Sequence, residues 1–149
     1  MIAIRGHRRD YDRLKESGLD GWGYDDVLPY FKRMESSWRG SDAFHGDSGP
    51  VEISLMDRAD MLFEPLREAT IAAGYGATDD PNGAIQEGIS RMEATIGRGR
   101  RSSAARAYLR AAMHRKNLTI ATRARTLRIL IENKKAIGLE YETPDGVQK

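Results

Sequence analysis

The 149-residue sequence predicts an α+β fold, with helices flanking short strands and an antiparallel β-meander at the C-terminal end. Three observations predict it. Apolar residues recur at helical spacing around Tyr11, Phe31 and Leu66. Val51-Glu52-Ile53-Ser54-Leu55 alternates cleanly, as a half-buried strand does. In the last third, apolar runs are separated by turn signals at Asn133-Lys134-Lys135 and Pro144-Asp145-Gly146.

The elements follow in order. Met1 to Ile4 is short and apolar, a strand end or a buried segment. Residues 8–17 read as a helix, with Tyr11 and Leu14 on one face and Gly18 as the stop. Trp22 to Asp26 enters a second helix, whose buried stripe is Val27, Phe31 and Met34. Pro29 lies too deep for a first helical position, so a short turn is expected before it and the main helix after it. Residues 37–50, rich in Gly, Ser and Asp, are loop. Pro65 suits the start of a third helix with Leu66, Ala69, Thr70 and Ala73 inward and Gly74 at its end. Thr78 to Gly83 is a turn cluster, and 92–96 a strand. Ser102 or Ser103 caps a helix through Ala107, Tyr108, Leu109 and Met113. Strands are expected at 118–122, 126–131 and 136–142, and Val147 begins a returning strand. The chain stops there, just after reversing direction, so truncation is expected.

Composition sets the class. The apolar fraction is 40% and the charged fraction 31%, which is globular and not disordered. No apolar run nears the roughly 20 residues of a membrane span, and the charged start lacks the apolar core of a secretory signal. There is no cysteine, hence no disulfide, thiolate metal site or cysteine nucleophile, and a cytoplasmic setting is expected.

The stretch 96–102 has a strand–turn–helix setting and the first two glycines of a G-x-G-x-x-G, but Ser102 stands at the third. A turn feeding a capped helix is the plainer reading. Arg98, Arg100, Arg101, Arg106 and Arg110 raise the alternative of a non-catalytic module that binds phosphate or nucleic acid. No recognition motif accompanies them. His7, His45 and His114 share no ligand spacing, and each is expected to make a local hydrogen bond; no metal site is assigned. Asp79-Asp80-Pro81-Asn82-Gly83 resembles part of a calcium loop, but Thr78 and Ile89 stand where its first and last acidic ligands belong. No catalytic residue is identified.

Four stretches, in this order, resemble the glucose–methanol–choline (GMC) oxidoreductases, particularly their choline and alcohol dehydrogenase branch. They are Met1-Ile2-Ala3-Ile4-Arg5-Gly6-His7-Arg8-Arg9-Asp10-Tyr11-Asp12, then Gly21-Trp22-Gly23-Tyr24-Asp25-Asp26-Val27-Leu28-Pro29-Tyr30-Phe31. Phe44-His45-Gly46 through Gly49-Pro50 is the third, and Gly99-Arg100-Arg101-Ser102-Ser103-Ala104-Ala105-Arg106-Ala107-Tyr108-Leu109 with Asn117-Leu118-Thr119 the fourth. The resemblance implies FAD as cofactor and oxidation of an alcohol to a carbonyl by hydride transfer to the flavin. It also implies an internal piece of such an enzyme, shared between its FAD/NAD(P)-binding and substrate-binding domains. Residues 1–116 would be a lid and substrate-side segment, and 117–149 a truncated meander of the FAD-binding domain.

The family's glycine fingerprint and its C-terminal catalytic histidine have no counterpart here, so the chain alone is expected to be inactive. Three positions match cofactor contacts of the family. Met1 and Ile2 match residues whose backbone lies beside the flavin, and Thr126 matches a position, usually Val, whose main chain meets the adenine. The partner implied is a small-molecule alcohol, with no nucleic acid and no membrane span. Apolar faces left uncovered are expected to make the piece self-associate.

Overall fold

The computed structural model describes residues 1–56 and 61–149. Two compact units are present, Met1–Ala111 and Ala112–Lys149.

In the first unit, α1 (Arg8–Glu16) starts where His7 Nδ1 accepts the Arg9 N–H and Asp10 reaches back to the His7 N–H at 3.0 Å. These bonds satisfy two of the amides that a helix start leaves open. Gly18, at φ 94°, carries the chain out. α2 (Tyr24–Met34) runs without interruption through Pro29, contrary to the expected break. The Asp26 carboxylate fixes its entry by accepting the Gly23 N–H, and Asp12 accepts the Tyr24 N–H. With the first turn pinned this way, the single bond that Pro29 cannot donate does not stop the helix. Tyr11 meets Tyr24 and the edge of Phe31 at centroid distances of 6.2 and 5.8 Å, joining α1 to α2. Met34 stays exposed, so the buried stripe is shorter than expected.

Three short strands form the sheet beside these helices: β1 (Glu35–Ser37), β2 (Val51–Leu55) and β3 (Glu93–Ala94). β2 is central, parallel to β1 and antiparallel to β3. Val51 and Ile53 point into the core, as their alternation predicts, and Ala94 joins them. Between β2 and β3, α3 (Phe63–Ala72) takes Pro65 in its first turn and ends at Gly74. Its expected inward face is not covered, and Leu66 is exposed. β4 (Ile96–Gly97) and β5 (Arg100–Arg101) form a hairpin closed by Arg98 and Gly99, both at positive φ. The helical segment after it is wound wide over Ala105–Leu109 and tightens at α4 (Arg110–Ala112). Ser103 caps it, accepting the Arg106 N–H, while Tyr108 and Met113 are exposed rather than inward.

The second unit is the antiparallel sheet β6 (Arg125–Glu132), β7 (Lys135–Thr143) and β8 (Gly146–Gln148), in that order. Asn133 and Lys134, at φ 48° and 63°, make the two-residue turn that matches strand twist. Pro144-Asp145 leads into Gly146 at φ 111°, and β8 returns along β7. The strand expected at 118–122 does not form; an apolar run becomes a strand only where an edge is available to pair with it. Among the described residues no helix is long and apolar enough to cross a membrane.

Candidate functional site

The largest fully buried side chains described in the first unit are ionisable. His45, Glu35 and Glu93 are each 1–2% exposed. β1 places Glu35 inward, where its Oε1 is hydrogen-bonded to His45 Nδ1 at 3.0 Å, accepts the Gly46 N–H at 3.1 Å and is ion-paired with Arg5 Nη2 at 2.8 Å. The other ring nitrogen of His45, Nε2, lies 3.0 Å from Asp80 Oδ2. Arg39 continues the network, its Nε 2.8 Å from Glu93 Oε1 and 3.8 Å from Asp80 Oδ1. Trp38 Nε1 donates to the same Glu93 oxygen, and Asn82 Nδ2 donates to the other.

The glycines of the 44–50 motif make this packing possible. A Cβ on Gly46 would lie 1.9 Å from the Lys32 carbonyl oxygen, and one on Gly49 would lie 2.3 Å from the Met34 carbonyl carbon. The loop carrying His45 therefore presses directly on the end of α2. Asp42 shapes the same loop by accepting the Phe44 and His45 N–H groups.

A carboxylate oxygen 3.0 Å from each ring nitrogen of His45 places both nitrogens to donate, an arrangement that favours the imidazolium form. The hydrogen bond to Glu35 is the main influence, burial opposes it, and Asp80 adds to it, so the His45 pKa is raised. For Glu35 burial is the largest single influence and pushes the pKa upward. The hydrogen bonds from His45, Arg5 and Gly46 together outweigh it, and the net shift is downward. Asp42, His45 and Asp80 bring ligand atoms within 4.8 Å of one another. Both ring nitrogens of His45 already face carboxylates, and the Arg39 guanidinium sits beside Asp80, so the cluster suits a proton rather than a metal ion.

Beside this hub runs the Met1–Arg5 segment. Ile2 bridges Ala94, with the Ala3 N–H donating to Glu93 O and the Thr95 N–H donating to Met1 O. Beyond the end of β3, side chains take over the pairing. Asn82 Nδ2 donates to Ala3 O, Asn82 Oδ1 accepts the Arg5 N–H, and Gln86 Nε2 donates to Arg5 O. Because N–H and C=O groups alternate sides along a strand, those of Ile2 and Ile4 point the other way. Met1, Ile2 and Ile4 are each more than half exposed and not the buried core that their apolar character suggests, although the Arg101 side chain reaches Met1 Sδ.

Met1 and Ile2 thus share one open edge in the first unit. Thr126 belongs to the second, on β6 opposite Tyr141 and next to an irregularity in the pairing before Arg128. The arginine-rich stretch is a hairpin with exposed Arg98, Arg100 and Arg101, not a loop opening a helix N-terminus. Ser102 is buried, its Oγ accepting the Glu52 N–H. His7 caps α1 and lies 3.0 Å from Glu87. The hub itself was not legible as a set: Arg5, Glu35, His45, Asp80 and Glu93 are far apart in sequence. Its one signal was the pair of glycines, Gly46 and Gly49, that follow the histidine.

The family model described as GMC oxidoreductase matches residues 1–149. The chain is 47% identical over 142 residues to the oxygen-dependent choline dehydrogenase of Brucella anthropi, covering 95% of this chain and 26% of that protein. It is 45% identical over 152 residues to the protein of the same name from Photobacterium profundum, again covering 26% of it. The fold matches the crystal structure of pyridoxine 4-oxidase from Mesorbium loti at a TM-score of 0.88 and 33% identity, over 99% of this chain and 30% of that one. An FAD-dependent oxidoreductase from Chaetomium thermophilum matches at 0.86 and 26% identity, over 98% of this chain and 27% of that one. The chain thus spans about a quarter of the curated relatives' length.

Proposed function

The chain belongs to the GMC oxidoreductase family, and from that premise we propose that it supplies scaffold and part of the cofactor wall of an FAD-dependent enzyme oxidising the CH–OH group of an alcohol, choline or another. The match over residues 1–149 carries the reading. When bound, FAD supplies the acceptor for the hydride that leaves the alcohol carbon.

The residues present fit part of that cofactor. The Met1–Arg5 segment offers unpaired backbone groups on a rigidly held edge, which suits contact with a flat ring system. In this reading Met1 and Ile2 lie beside the flavin, and the Thr126 main chain meets the adenine. Backbone contact tolerates Thr where the family usually carries Val. Residues 1–116 form the lid and substrate side, and 117–149 a meander of the FAD-binding domain. The hub of Arg5, Glu35, His45 and Asp80 handles no substrate proton here; its groups are engaged with one another, and it fixes the loops behind the edge.

Two features support the idea that more protein covers these units. The buried apolar side chains among the described residues are only Tyr24, Val51, Ile53 and Ala94. Ile129, Ile131, Ile137 and Val147 of the second unit are each more than half exposed. Alone, the chain is therefore expected to self-associate and to bind FAD weakly or not at all. Absence of cysteine supports a cytoplasmic setting. No observation favours the nucleic-acid alternative for Arg98, Arg100, Arg101, Arg106 and Arg110. The test is a chimera in which residues 1–149 replace the matching segment of the Brucella anthropi relative. A folded chimera that takes up FAD and is bleached by an alcohol supports the reading, and a folded one without flavin defeats it.

A further inference from the structure

We infer that Asn82 is a positioning residue: its side-chain amide stands in for a missing strand and sets where the Met1–Arg5 edge lies. β3 is only two residues long and pairs with the edge no further than Ala3 N–H. From that point the edge still has inward backbone groups at Ala3 O and Arg5 N. One carboxamide meets both, with Nδ2 3.0 Å from Ala3 O and Oδ1 2.8 Å from Arg5 N. A peptide unit of a neighbouring strand presents the same donor and acceptor, which is why a primary amide fits here and a carboxylate does not.

Asn82 is itself buried and held by two further hydrogen bonds. It is 5% exposed, its backbone N–H donates to Asp80 Oδ1 at 3.0 Å, and its Nδ2 lies 3.3 Å from Glu93 Oε2. Asp80 and Glu93 are both held by Arg39, and Asp80 also by His45. The edge is thereby referenced through one side chain to the buried ion-pair hub. Gln86 makes a further bond to Arg5 O at 2.7 Å, but from a less buried place and to one group only. That this edge is the flavin-facing one rests on the function proposed above.

Residue-resolved amide hydrogen exchange on the full chain tests the inference, with Asn82→Ala and Asn82→Asp beside the parent. In Asn82→Ala the Arg5 amide loses its acceptor and should exchange at least about tenfold faster, because a protecting hydrogen bond is gone. In Asn82→Asp a carboxylate oxygen still accepts from Arg5, so that amide should stay protected. The lost donor to Ala3 O should instead loosen the segment before it, with faster exchange at Ala3 and Thr95. The Trp38 and Met56 amides, bonded to Ile53 O and Met92 O, should keep their protection in both variants. General destabilisation would speed all of these amides together, and that pattern, or unchanged exchange at Arg5 in Asn82→Ala, overturns the inference. The flavin reading is judged separately: in the flavin-bearing chimera, Asn82→Ala should shift the flavin absorption bands. Selective exchange with unshifted bands would leave Asn82 as the positioning residue and remove the flavin from this edge.

Discussion

Replacing His45 with Phe keeps a planar ring and removes both of its charged contacts. Two charge-assisted hydrogen bonds are lost, each worth about 1.5–3 kcal/mol in general. The Asp80 contact counts at the low end, since that side chain is 26% exposed and water replaces part of the loss. Glu35 is 2% exposed and keeps only the Arg5 ion pair and the Gly46 N–H. The sum is roughly 3 kcal/mol, the range for breaking a buried ion pair. With a urea slope of about 2 kcal/mol per M, the midpoint should fall by roughly 1.5 M. Trp22 and Trp38 both lie in the first unit, so tryptophan fluorescence reports its unfolding.

The pH dependence adds a second check. His45 has a raised pKa, so its stabilisation is complete below its ordinary 6.5 and fades as pH climbs through the folded-state value. Glu35 has a lowered pKa, so its share is present above its ordinary 4.5 and fades as pH falls through its folded-state value. The parent chain should therefore lose stability on the alkaline side, and His45→Phe should lack that slope. A loss under about 1 kcal/mol at pH 6, or an unchanged alkaline slope, would refute the imidazolium hub.

Gly46→Ala drives a Cβ onto the Lys32 carbonyl and should cost about 3 kcal/mol or more in the same urea titration. Lys134→Gly relieves a non-glycine residue at φ 63° and should raise the stability of the second unit by about 0.5–1 kcal/mol, read from thermal melting of its β signal. Sedimentation velocity should show association of the chain, reduced by Ile129→Glu with Ile131→Glu; a clean monomer in the parent contradicts that expectation.

Where local chemistry decides, the sequence was readable. Gly18 stops α1, Val51 and Ile53 alternate inward in β2, and Asn133-Lys134 closes the β6–β7 hairpin at the expected place. Pro29 misled because its penalty is local, whereas α2 is held at its entry by Asp26 and Asp12. β1 was hidden because Glu-Ser-Ser carries no apolar signal, and its burial depends on partners at Arg5 and His45. The same distance in sequence concealed the hub and the role of Asn82, whose turn cluster at 78–83 reads only as a loop. The apolar run at 118–122 looked like a strand because periodicity reports a face and not the presence of a neighbour.

The flavin content of the chimera carrying residues 1–149 is the most direct measurement. If this chain builds part of an FAD wall, the purified, folded chimera holds flavin with a protein-perturbed absorption spectrum, and choline bleaches it without added reductant. A folded chimera that elutes free of flavin, beside a parent that retains it, would contradict the account.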